Sequence, residues 1–121
     1  MSHLDVLPVA DGDSYAGACG EMRNVFNPAT GEPIAQQACC AGDDVSRIVE
    51  SSQRGFASDA WQQMRPADRG SLLLKIADRV EQEAERLVEL ELLDTGKPMT
   101  QLQAGEIPLS AAILRFYAGA A

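Results

Sequence analysis

Few side chains in this 121-residue sequence could carry out a reaction. The thiols Cys19, Cys39 and Cys40 are an odd set with two adjacent members, so they make neither a disulfide framework nor a CxxC pair for metal or redox work. A thiol nucleophile needs a base, and the sole histidine, His3, sits in a terminus expected to fray. The cysteines therefore read as small apolar residues of a reducing compartment. Gly96-Lys97 suggests a phosphate loop, but that motif requires glycine where Glu91 stands and Ser or Thr where Pro98 stands. Gly17 and Gly20 have one spacing of a dinucleotide fingerprint without its first glycine, position 15 being Tyr15. Glu81, Glu83, Glu85, Glu89 and Glu91 run beside Arg79 and Arg86 at helical spacing, the pattern of a solvated face and not of a paired acid and base. No group of His, Cys and Asp has the spacing of a side-chain metal site. This reading yields no catalytic and no cofactor-binding residue.

The elements that would position these residues are easier to place. The first 21 residues, rich in Gly, Asp and Ala, predict a weakly structured segment with at most a short strand near Ser14 to Ala18. Apolar segments Met22 to Phe26 and Pro33 to Cys40 flank the turn formers Asn27-Pro28-Ala29-Thr30-Gly31-Glu32, which predicts a β-hairpin. Val45, Ile48, Val49 and Phe56 then recur at helical spacing behind Asp43 and Asp44, predicting a capped helix over 43–56. Trp61 is expected to anchor a short connection. Pro66 and Asp68 open the strongest periodic stretch, with Leu73, Ile76, Ala77, Val80, Ala84, Leu87 and Val88 on one face. It forms one long helix or two with a bend near Glu81 to Glu83. Gly96 and Pro98 stop it, and a last helix is expected over about Met99 to Ala118, interrupted around Gly105 and Pro108.

Composition sets the outer bounds. The 45% apolar and 23% charged residues describe one soluble globular unit with a modest aliphatic core. Ten Lys and Arg against eighteen Asp and Glu give a net charge of -8, the wrong sign for nucleic acid. No apolar run approaches the roughly 20 residues of a membrane span, and the start shows no targeting pattern. The expectation is a cytoplasmic chain without a nucleic-acid or membrane partner.

Three segments, in order, resemble the start of the aldehyde dehydrogenase superfamily: Asn27 to Glu32 (NPATGE), Asp94 to Pro98 (DTGKP) and Arg115 to Gly119 (RFYAG). Each alone is an ordinary turn, helix stop or helix end; their order and spacing are specific. The likeness covers Val25 to Ala121, and the chain stops without an element to cover its last stripes, as if cut. It implies a parent with an α/β fold and a Rossmann-type cofactor domain, of which residues 22–121 are the opening part, mainly α with an N-terminal β-hairpin. In that family a cysteine thiolate attacks an aldehyde, an oxyanion hole holds the tetrahedral species, hydride leaves to NAD or NADP, and an activated water releases the carboxylic acid. Those residues lie beyond position 121, so the resemblance implies an inactive fragment of an enzyme acting as a homodimer or homotetramer, with no cofactor of its own. It further implies a monovalent-cation site using backbone carbonyls of Val25 and Phe26 and the side chain of Glu106, nine residues before Arg115. The competing expectation is a stand-alone helical regulatory module whose aliphatic stripe docks on a partner protein.

Overall fold

The turn at Asn27 is built by its own groups. The Asn27 side chain accepts the Ala29 N–H at 2.8 Å, the Asn27 N–H donates to Glu32 O at 2.9 Å and the Gly31 N–H to Asn27 O at 2.7 Å. Gly31 takes φ 73°, open to glycine at no steric cost. The turn joins β4 (Met22–Phe26) to β5 (Pro33–Ala38), paired antiparallel from Met22 with Ala38 to Phe26 with Pro33. The expected hairpin is present, except that β5 ends at Ala38 and leaves Cys39 and Cys40 in the connection that follows.

The computed structural model describes residues 4–120; His3 and Ala121 lie outside them. The chain forms two compact units, one ending at Gln63 and one beginning at Met64, so the 22–121 stretch spans both.

In the first unit the opening residues hold more structure than their composition predicts. Strand β1 (Leu4–Val6) lies parallel to β5, giving a sheet of order β1-β5-β4. Strands β2 (Val9–Ala10) and β3 (Asp13–Ser14) form a separate hairpin turned by Asp11 at φ 55° and Gly12 at φ 89°. Two consecutive positive φ angles are what a two-residue hairpin turn requires, and Asp-Gly supplies them. The strand expected near Ser14 to Ala18 is thus only the two residues Asp13–Ser14. Strand β1 escapes a periodicity reading because its partner β5 is distant in sequence, and β2 and β3, two residues each, are too short to show a period. The β2-β3 turn is tied to α1 (Gly42–Ala57): the Asp11 N–H donates to Ser51 Oγ at 2.8 Å, and Arg54 donates to both Asp11 carboxylate oxygens at 2.8 and 2.9 Å. Trp61, half-buried, lies in the short connection after α1, which forms a four-residue helix, α2 (Asp59–Gln62), capped by Ser58.

The second unit resolves the long stripe into two helices, α3 (Pro66–Gln82) and α4 (Ala84–Thr95), with Glu83 between them at φ -96° and ψ 11°. Gly96, at φ 69°, caps α4. The last helix is not broken: α5 (Met99–Gln101) runs through a π-helical turn (Leu102–Glu106) into α6 (Ile107–Ala118). Pro108 accounts for this, since it lacks an N–H and its ring would meet the carbonyl of Ala104 in a regular α-helix. A wider turn absorbs the mismatch without ending the helix. Helices α3 and α6 pack through the small residues Ala77 and Ala111, both fully buried, with Leu102 and Val88 beside them in the core. Burying a leucine such as Leu102 contributes about 1.5–3 kcal/mol. Members of the predicted apolar faces stay open to solvent, including Ile76 at 43% and Phe56 at 66% exposure, and so does Phe116 of α6 at 73%. Periodicity identifies an apolar face but not what covers it.

Candidate functional site

Lys97 owes its position to the helix stop. Thr95 Oγ1 donates to Glu91 O at 2.7 Å and accepts the Lys97 N–H at 3.4 Å, Gly96 reverses the chain, and Pro98 starts the next element. The ammonium of Lys97 thereby reaches Glu91 Oε1 at 3.1 Å and Glu106 Oε2 at 2.7 Å. Gln101 Nε2 donates to the other Glu106 oxygen at 3.0 Å. The hydrogen bond from Lys97 holds the Glu106 carboxyl below the ordinary range, and the same bond, with a second that Lys97 donates to Glu91, raises the pKa of the Lys97 ammonium. Both side chains are about one-third exposed, at 37% for Lys97 and 33% for Glu106, so water screens the pair.

The candidate cation residues divide between the two units. Val25 and Phe26 end β4 in the first, Val25 half-buried and Phe26 exposed, with a register irregularity between them. Pro33, opposite Phe26, brings no N–H to the ladder. Glu106 closes the π-helical turn of the second, with both carboxylate oxygens engaged.

Arg115 performs a related task on α6. Its guanidinium donates to Glu81 Oε1 at 2.6 Å, Glu81 Oε2 at 2.8 Å and Asp78 Oδ1 at 2.8 Å, clamping α6 to α3. Glu81 raises the Arg115 pKa, and Arg115 lowers that of Glu81. Further along α6, a Cβ on Gly70 of α3 would stand 2.6 Å from the Ala118 carbonyl oxygen, so glycine permits the close approach. The DTGKP and RFYAG residues therefore orient helices.

Asp44 is the buried charge of the first unit, 2% exposed. Its Oδ2 accepts the N-cap N–H of Ala41 at 2.8 Å, and both oxygens accept the Ala18 N–H, at 2.9 and 3.0 Å. The capping role is predictable from a local acid ahead of an apolar repeat; the grip on Ala18 is not, because the partners are 26 positions apart. The Lys97 and Glu106 pair and the Asp11 and Arg54 pair are equally invisible to helical spacing rules.

Among the described residues no group of three or more His, Cys, Asp or Glu could hold a metal ion, and no helix is long and apolar enough to cross a membrane. A groove of about 220 Å³ lies in the second unit, lined by Glu81, Ala84, Glu85 and Val88 together with Gln103, Ile107 and Pro108. Its lining has no thiol, hydroxyl or imidazole, and neither has that of a second, more open groove of about 380 Å³ lined by Lys75, Ile76, Arg79, Val80, Glu83 and Leu87. The starts of α1 and α3 are already supplied with acidic side chains. Asp44 takes the N–H of Ala41 at the start of α1, and α3 opens on Pro66 with Asp68 in its first turn, where a phosphate would add like charge.

The N-terminal strands and clamped helices recur in known proteins. The family model described as the aldehyde dehydrogenase family matches residues 15–121. An aldehyde dehydrogenase family 2 member from Arabidopsis thaliana is 36% identical over 98% of this chain and 22% of its own length. An aminoacetaldehyde dehydrogenase from Pseudomonas aeruginosa is 39% identical over 86% of this chain and 21% of its own. The crystal structure of an indole-3-acetaldehyde dehydrogenase complexed with NAD+ superposes with TM-score 0.92 and 34% identity, covering 97% of this chain and 24% of that one. The chain belongs to the aldehyde dehydrogenase family. It carries an amino-terminal part of such an enzyme, mainly helical after its N-terminal strands, and spans about a fifth of the length of the curated relatives it matches.

Proposed function

We propose that this chain is scaffold for an enzyme that oxidises an aldehyde to a carboxylic acid with NAD, and that residues 1–121 contribute architecture while the reacting groups come from elsewhere in the fold. The observation that carries the reading is the superposition on an NAD+-bound indole-3-acetaldehyde dehydrogenase over nearly all of this chain and a quarter of that one. Incubation of the purified chain with acetaldehyde or an aromatic aldehyde and NAD, followed by NADH absorbance, is expected to give no turnover. Production of NADH that requires Cys39 or Cys40 would overturn the reading.

For Glu106 the reading is an ion-pair role. A carboxylate held by the Lys97 ammonium at 2.7 Å already has its compensating charge, so it does not fit as a free anionic ligand for a monovalent cation. Melting curves in sodium, potassium and choline chloride at equal ionic strength are expected to coincide; a potassium-specific or sodium-specific rise lost in Glu106→Gln would restore the cation reading.

A second reading, a helical module that docks on another protein, is favoured by the exposure of Phe116 and Tyr117, whose rings pack edge to face at 5.3 Å. A monodisperse, cooperatively unfolding chain that binds no apolar dye would count against it.

A further inference from the structure

We propose that Cys19 and Cys39 are a peroxide-responsive thiol pair that closes to a reversible disulfide. The Cys19 thiol donates to the Cys39 carbonyl oxygen at 3.0 Å although the residues are 20 positions apart. Covalent geometry then keeps their Cα atoms within roughly 8 Å, a bound that takes in the about 4.4–6.8 Å of a disulfide. The approach is built into the fold. Gly17, two positions before Cys19, lies so close to the Cys39 carbonyl that a Cβ there would stand 2.6 Å from its oxygen. Asp44 anchors the intervening Ala18 N–H. The turn itself is closed by the Gly20 N–H on Gly17 O at 3.1 Å, with Gly20 at φ 65° supplying the reversal.

Cys19 is exposed and Cys39 half-buried, so a small peroxide reaches Cys19 first. The Cys19 sulfur attacks one peroxide oxygen, the O–O bond breaks, and sulfenic acid and water form. The Cys39 sulfur then attacks the sulfenyl sulfur, making the S–S bond and expelling hydroxide, which takes the thiol proton to become water. Two thiols and one hydrogen peroxide thus give one disulfide and two waters; the two sulfurs are oxidised and the peroxide is reduced. The adjacent Cys39 and Cys40 do not compete, because neighbouring Cα atoms about 3.8 Å apart fall below the disulfide range. The bond would staple the turn before β4 to the connection after β5.

The test treats the folded 121-residue chain with equimolar hydrogen peroxide, blocks residual thiols with N-ethylmaleimide and maps tryptic peptides without reduction. Cleavage after Arg23 and Arg47 separates Cys19 from the other two cysteines. The expected result is a linked peptide pair with titratable thiols falling from three to one. The link should form in Cys40→Ser, be absent from Cys19→Ser and Cys39→Ser, and be reversed by dithiothreitol. Sulfinic acid at Cys19 without a link, a link that persists in Cys39→Ser, or one that forms only after denaturation in urea would each overturn the proposal.

Discussion

The ammonium of Lys97 lies 2.7 Å from the carboxylate of Glu106, joining the helix stop after α4 to the π-helical turn that leads into α6. Its pH dependence follows from two shifts of opposite sense. The Glu106 pKa is lowered by Lys97, so its contribution is present above the ordinary glutamate value of about 4.3 and lost as pH falls through the lower folded value. The Lys97 pKa is raised by Glu106 and Glu91, so its contribution is complete below the ordinary lysine value of about 10.4 and lost as pH rises through the higher folded one. Wild type should therefore melt above Glu106→Gln on a plateau from about pH 5 to about pH 10. Circular-dichroism melts across that range check it; a difference as large at pH 3 as at neutrality would contradict the pairing.

Replacing Asp44 by alanine removes the acceptor for Ala18 and Ala41 from a buried position. The expected loss is about 1–2 kcal/mol, whereas exposed Asp43→Ala should change stability by no more than about 0.5 kcal/mol. Urea titrations of the two variants side by side make the comparison, and equal effects would remove the buried cap from the account.

Gly70→Ala sets two effects against each other. Alanine favours a helix interior by about 1 kcal/mol, but here its Cβ meets backbone at 2.6 Å, with no flexible side chain to yield. Overpacking costs of about 1–3 kcal/mol should win, giving a less stable second unit. A stabilised variant would mean that the end of α6 gives way freely.

Gly31→Ala meets nothing within 4 Å, so any cost is that of φ 73° alone. A loss of about 1 kcal/mol is expected, and Gly31→Asn should recover part of it, because asparagine tolerates the left-handed region. An alanine variant as stable as wild type in thermal unfolding would show that the turn does not need that geometry.

Much of this protein was legible in its residues because the physics is local. The Asn27 side chain and Gly31 specify the hairpin turn, Asp44 starts α1, Pro66 starts α3, and Gly96 with Pro98 ends α4; each acts within a few positions of itself. The turn and helix-stop motifs that pointed to the family are local in the same way. Tertiary structure alone decided which acids and bases meet. Lys97 finds Glu106 and Arg115 clamps Asp78 and Glu81 through helix packing, and no rule of spacing encodes those distances. It also decided that β1 joins β5 in parallel, that Pro108 widens a turn instead of ending a helix, and that Cys19 comes to lie against Cys39. These depend on where separate elements come to rest, and that is fixed by packing close enough for a single methyl on Gly70 to matter.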